Sequence, residues 1–220
     1  SVRSFPTPYQ FFQFICRSDH LHFGLWSPDW SETPKVAQDR MAAHVADRLP
    51  ESVKRVLDVG CGVGGTARML ARRGKSVVGI CPDETLIEYG KTVNAEEGLS
   101  ESICLETAGF QEYPWTVNKP FDSVFTLESL QYFGDLEETL RHMASLVTED
   151  GYLVIADQLM RDPTLRQLAR FHTAEEIRSA AAQTSWRLID HEDVTDRARP
   201  TVAHALELLS DHREEILEFF

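Results

Sequence analysis

The chain has 220 residues, 42% of them apolar and 26% charged, and carries a net charge of −13. That length supports one well-buried core, and 22 Lys and Arg against 35 acids argue against nucleic acid or an anionic membrane surface as partner. No apolar run approaches the ~20 residues that span a bilayer and no signal-peptide pattern is visible, so a cytoplasmic location is expected.

The first stretch, 5–15, is too aromatic for a tail. It reads equally as a packed segment or as a lid whose Tyr9 and Phe12 line a substrate pocket. His20 and His22 fall on one side of an extended run; a metal needs three or more ligands, and none is expected here. Pro34–Leu49 predicts an amphipathic helix with Val36, Met41, Val45 and Leu49 near one face.

Residues 53–67 follow, an apolar run ending in a glycine-rich turn before a helical pattern. Strand, tight turn and helix open a nucleotide-binding α/β unit. Gly60, Gly62 and Gly65 satisfy the dinucleotide pattern; Asp58 with Gly60, Gly62 and Gly64 satisfies Asp-x-Gly-x-Gly-x-Gly. An anionic Asp58 repels a pyrophosphate but favours a ligand that carries a sulfonium and an ammonium. Arg68, Arg72 and Arg73 read as the solvated face of the helix after the loop.

Lys75–Ile80 predicts the second strand, Pro82 to about Glu97 a helix, and Ser102–Glu106 the third strand. Phe121–Leu127 predicts the fourth, Asp135–Val147 a helix and Gly151–Asp157 the fifth. Thr173 with Glu176 forms a capping box at the start of a helix. Trp186–Glu192 predicts a sixth strand and Thr201–Phe220 a last helix. The alternation means a Rossmann-like, doubly wound, mostly parallel α/β sheet. It is expected as one domain: an N-terminal lid and first helix over 1–50, a core over 51–192 and a C-terminal helix over 193–220. Cys16, Cys61, Cys81 and Cys104 lack Cys-x-x-Cys spacing and read as buried free thiols of a reducing compartment.

These motifs, in this order over about 21–192, resemble class I S-adenosylmethionine-dependent methyltransferases of the small-molecule branch that acts on sterols, tocopherols and sugars. The first motif is carried by Asp58, Gly60, Gly62 and Gly64, and the fifth strand by Gly151–Ile155. The fourth strand with Leu127–Phe133 resembles the family's Glu-Ser-Leu-x-His-Phe segment. The resemblance implies S-adenosyl-L-methionine as cofactor, held by Asp58, Gly60, Cys61, Gly62, Gly64, Cys81, Pro82, Asp83, Gly109, Phe110, Leu127 and Glu128. It places Trp26 and Trp30 in the wall over the methyl group, with Tyr9, Phe12 and Tyr132 also at the substrate.

Three features depart from the family pattern. Cys81 stands where an acid holds the ribose, with Asp83 as a substitute. Gly109 stands where an acid approaches the adenine amine, leaving Phe110, Ile80 and Pro82 to sandwich the ring. The family's last, antiparallel strand has no candidate, so a truncated chain is expected. Glu128 is the first candidate for general base, then His172, Tyr132 and His22.

The function expected is methylation of a small apolar or cationic metabolite, at carbon or nitrogen in preference to oxygen. The alternatives are a non-catalytic methyltransferase-like binding or regulatory domain and a nicotinamide-dependent oxidoreductase. A homodimer and membership of a longer chain are both compatible with the sequence.

Overall fold

The computed structural model describes residues 13, 16–115, 118–162, 164 and 170–214. Two compact units emerge, Val45–His191 and the combination of Ser1–His44 with Glu192–Phe220.

The larger unit is built on five parallel strands. They are β1 (Arg55–Val59), β2 (Ser76–Cys81), β3 (Ile103–Thr107), β4 (Phe121–Leu127) and β5 (Val147–Ala156), in the order β3-β2-β1-β4-β5. Strand order reverses between β1 and β4, and that switch point opens a crevice beyond the carboxyl ends of the strands. β1 and β4 are nearly continuous buried runs, as central parallel strands covered on both faces must be. Leu57, Val59, Ile80, Phe121 and Val124 from the sheet pack with Leu140, Met143 and Leu146 of the helix Leu136–Leu146.

Six of the described helices sit where the sequence places them, and the short helix Thr195–Ala198 was not expected. Numbering from the amino end, α1 is Pro34–Ala46, α2 Gly65–Arg72, α3 Glu84–Glu96, α4 Leu136–Leu146, α5 Ala174–Ala182, α6 Thr195–Ala198 and α7 Pro200–Asp211. Local chemistry starts three of them. The Asp83 carboxylate accepts from the Thr85 and Leu86 amides, Asp135 accepts from Glu138 N, and Thr173 and Glu176 form both arms of the capping box. On α1, Met41, Val45 and the following Leu49 are buried, but Val36 is exposed.

One carboxylate ties two strands together at the end remote from the crevice. Asp122 Oδ2 accepts from Lys54 N (2.7 Å) and Arg55 N (2.8 Å), so the start of β4 holds the start of β1. β5 begins four residues earlier than expected, and its pairing with β4 shifts between Phe121 and Ser123. Gly151 lies in that irregular stretch, where a Cβ would stand 2.5 Å from the Val147 Cβ.

The expected sixth strand does not form. Residues 185–191 take no regular structure, and Leu188 and Ile189 are exposed. An apolar run becomes a strand only when a neighbouring backbone takes its hydrogen bonds. Here the segment is held by side chains instead: Trp186 Nε1 donates to Leu140 O of α4 at 2.8 Å, and Arg48 pairs with Asp190. The thiols also divide. Cys81 is buried, Cys16 and Cys61 are partly so, and Cys104 is exposed on the edge strand β3, against the expectation of four buried cysteines.

In the smaller unit, Trp26 is the anchor. Its indole donates to Thr201 Oγ1 (2.8 Å), which also receives Gly24 N (3.0 Å), and its amide donates to Arg197 O. Arg40 forms a two-pronged ion pair with Glu32 and donates to Leu25 O.

Candidate active site

The loop after β1 is pinned by its own amides. Gly60 N and Cys61 N both donate to Ile80 O at the end of β2 (3.0 and 3.1 Å), and Gly64 N closes the turn on Cys61 O at 2.9 Å. Gly60, Gly62 and Gly64 have φ of 81°, 55° and 77°, a left-handed backbone that side chains disfavour. Gly60 is required for space as well. A Cβ there would lie 2.3 Å from Ser129 Oγ, and Ser129 in turn donates to Val59 O and bonds Thr126 Oγ1. The serine of the Glu-Ser-Leu segment is thus a wedge beneath the glycine loop.

Asp58 is 2% exposed at the carboxyl end of β1, and its Oδ2 has no hydrogen-bond partner. Burial pushes its carboxyl up to about 7. A buried acceptor without a donor is costly, so this oxygen suits a ligand that brings a cation or an N–H. Cys81 is buried nearby, at the end of β2, and its thiol is raised chiefly by burial. Ala108 N donates to Cys81 O, which sets Gly109 next to that strand end. Pro82 is exposed, and Asp83 Oδ1 is committed to capping α3.

A second group of residues gathers where β4 and β5 end. Glu128 directly follows Leu127 with a φ of 52°, a non-glycine residue in the left-handed region. Its amide donates to Ala156 O, its carbonyl accepts from Gln131 Nε2, and its Oε2 accepts from Gln158 Nε2 (3.0 Å). Asp157, just past β5, was not a candidate in the sequence. Its Oδ2 accepts from Leu130 N (2.9 Å) and its Oδ1 from Gln158 N (2.8 Å). Burial nevertheless outweighs those donors and raises it to about 6. Asp157, Gln131, Gln158 and His172 line one small recess with Leu130, Leu159 and Phe171. The buried Gln131 Oε1 has no partner. Tyr132 is 70% exposed, with its carbonyl accepting from Gln111.

Other candidates fall elsewhere. Phe110 is buried against Phe133 and His142, at ring separations of 5.2 and 4.5 Å. It therefore lacks the open face expected for an adenine sandwich. Arg68 is not solvated but fully buried, whereas Arg72 and Arg73 form surface ion pairs with Glu97 and Asp47.

In the smaller unit, Trp26 is buried and stacks on His204 at 4.2 Å, so its ring is not the open wall expected; Trp30 is half-exposed. His22 lies 4.6 Å from His20 and gives Nδ1 to Phe23 O. Burial and the neighbouring imidazole push it down to about 3, which makes it a poor base. Among the described residues no group of three metal-ligating side chains comes together, and no helix is long and apolar enough to cross a membrane. Tyr9 and Phe12 lie outside the described residues.

The methyltransferase-domain family matches residues 34–209. The chain is a class I S-adenosylmethionine-dependent methyltransferase. Among curated proteins it is similar to the O-methyltransferase resE of Aspergillus sclerotiorum, 29% identical over 216 residues, covering 90% of this chain and 81% of that one. The fold matches the [4+2]-cyclase SpnF with a TM-score of 0.83 and 24% identity, over 99% of this chain and 86% of that one. It also matches a geranyl diphosphate methyltransferase in complex with S-adenosylmethionine, with a TM-score of 0.70 and 19% identity, over 83% of this chain and 84% of that one.

The family assignment supports a methyltransferase over the nicotinamide-dependent and non-catalytic alternatives. S-adenosylmethionine is the cofactor of this methyltransferase, and its substrate is a small molecule. The β1 loop suits that cofactor: the unpartnered Asp58 oxygen offers a site for an ammonium, and a Cβ on Gly62 would meet open space.

Proposed function

We propose that this methyltransferase transfers a methyl group to a hydroxyl of a small, largely apolar metabolite, with Asp157 as the general base. The carrying observation is Asp157 itself, a partly buried carboxyl raised to about 6 beside Glu128 at the strand ends. A base of that strength is mostly ionised at neutral pH yet still takes up a proton readily. The expectation of a carbon or nitrogen acceptor gives way here to oxygen. A hydroxyl must lose its proton as it is methylated, and resE, the relative above, is named an O-methyltransferase.

In this reading Asp58, Gly60, Cys61, Gly62 and Gly64 hold the cofactor's methionine portion. Cys81, Pro82 and Gly109 border its nucleoside, with Asp83 serving the helix rather than the ribose. When bound, S-adenosylmethionine supplies an electrophilic methyl that needs no further activation. The protein's work is alignment and proton removal. Asp157, fixed by the amides of Leu130 and Gln158, would take the hydroxyl proton as the methyl passes from sulfur to oxygen, with S-adenosylhomocysteine as the leaving group. Glu128, held by Gln158 and by its unusual backbone, orients the acceptor. Tyr132 offers exposed aromatic surface to the substrate's apolar body, and His172 lines the recess beside the base.

The test is transfer of labelled methyl to a panel of hydroxylated, aminated and activated-carbon metabolites, with product analysis by mass spectrometry. Exclusive labelling at nitrogen or carbon would overturn the oxygen assignment. A rate in Asp157→Asn equal to that of the parent would remove the base.

A further inference from the structure

A buried charge lies directly behind the cofactor loop. Arg68, on α2, is 2% exposed, and its Nη1 donates to Val63 O at 2.7 Å and to Asn94 Oδ1 of α3 at 3.1 Å. Its own amide closes the first turn of α2 on Gly64 O at 2.9 Å. Glu97 Oε2, 3.9 Å from Nε, supplies an opposite charge. Asn94 is also 2% exposed, so neither group of this contact is at the surface.

The geometry has one centre, the carbonyl of Val63. That residue precedes the cap of α2, so no amide of the helix reaches its oxygen. The oxygen is buried, because Val63 is 1% exposed and α3 lies against it. A Cβ on Gly90 would stand 2.7 Å from Val63 O. Gly90 and Asn94 are four residues apart and share one face of α3. Bare backbone from Gly90 lets the loop approach, and Arg68 with Asn94 then holds what has approached. A charge-assisted bond of this kind exceeds an ordinary amide contact. It fixes the peptide between Val63 and Gly64, the point where Gly64 takes its φ of 77°.

We propose that Arg68 is a positioning residue for S-adenosylmethionine. By seizing Val63 O between α2 and α3, it holds the Cys61–Gly64 turn in the shape that receives the cofactor. It touches neither the cofactor nor the acceptor and acts only through the loop. This inference rests on the assignment of that turn to the cofactor.

The role predicts a split in the kinetics. Arg68→Met is expected to raise the KM for S-adenosylmethionine about tenfold, the loss of one charge-assisted hydrogen bond, while kcat at saturating cofactor stays within about twofold. Arg68→Lys restores part of the affinity, because an ammonium can still reach one of the two acceptors. Gly90→Ala is expected to act in the same direction as Arg68→Met by pushing on the same oxygen.

Met143→Ala is the control, since it hollows the core under α4 and removes no hydrogen bond of the loop. It is expected to lower the melting temperature with no change in cofactor KM. Calorimetry with S-adenosylhomocysteine on the parent enzyme comes first, and absence of binding there would overturn the cofactor assignment itself. If the parent binds, an unchanged cofactor KM in Arg68→Met overturns the inference. So does a rise no larger than that of Met143→Ala at matched melting temperature, and so does an equal fall in kcat.

Discussion

The carboxyl ends of β1 and β5 each present one acid, Asp58 fully buried and Asp157 partly so, and the two are prepared in opposite ways. Asp58 has an oxygen with no donor in reach, whereas both oxygens of Asp157 are already held by backbone amides. Burial raises both, to about 7 and about 6. An acid with an open lone pair gains most from a ligand that brings a positive charge. An acid whose donors are built in gains little from a new partner, but is fixed in place and can exchange a proton. Similar titration thus accompanies the two different jobs proposed for these acids, binding at β1 and proton removal at β5.

The contrast breaks most visibly at Asp157. Asp157→Asn keeps the side chain's shape and is expected to lower kcat by about 100-fold, the usual scale of general-base catalysis, with cofactor affinity unchanged by calorimetry. Asp58→Ala should do the reverse. Removing the open acceptor is expected to weaken S-adenosylmethionine binding by about 10- to 100-fold, as for a charged hydrogen bond of about 1.5–3 kcal/mol. If Asp157→Asn lost binding and Asp58→Ala lost turnover at saturating cofactor, the two roles would have to be exchanged.

A smaller effect sharpens the catalytic side. Glu128→Gln is expected to slow turnover only about threefold to tenfold, because an orienting hydrogen bond is worth about 0.5–1.5 kcal/mol and the proton acceptor remains. A loss as deep as that of Asp157→Asn would make the pair a single unit.

The smallest expected effect is in pH. A carboxyl raised from about 4 to about 7 keeps its proton in the folded state after the unfolded chain has released it. The folded protein then binds more protons than the unfolded one, so the Asp58 contribution to stability falls as pH rises across that window. Thermal melting of the cofactor-free enzyme should show this decline, flattened in Asp58→Asn. With cofactor present the sign inverts at Asp58, since an ammonium favours the ionised form, and affinity should rise as pH passes about 7.

Legibility in the sequence followed the range of the interactions involved. The glycine loop, Asp58 and the strand–helix alternation were readable because spacing and local backbone chemistry determine them. Asp83, Asp135 and Thr173 announced their helices for the same reason. Arg68 was misread because a charge on a short helix normally faces water, and the carbonyl it serves becomes buried only once α3 has docked. Trp186–Glu192 has a strand's composition but finds no ladder. Phe110 and Trp26 were read as open aromatic faces, yet each is taken by a histidine ring, His142 and His204, far away in sequence. Asp157 looked like a strand terminus; only the fold sets it beside Glu128 and Leu130.

Asp122, at the opposite pole from the crevice, bears on all of this. A parallel ladder repeats, so its hydrogen bonds alone discriminate weakly between β1 and β4 aligned as they are and aligned two residues out of step. Such a slip preserves the inward and outward faces of both strands, yet it would carry Asp58 about 7 Å along Leu127 and Glu128, since a strand advances about 3.3 Å per residue. By accepting from the successive amides of Lys54 and Arg55, where β1 begins, Asp122 acts as an index pin for the alignment. The spacing between Asp58 and Glu128 is thereby set from the far side of the sheet.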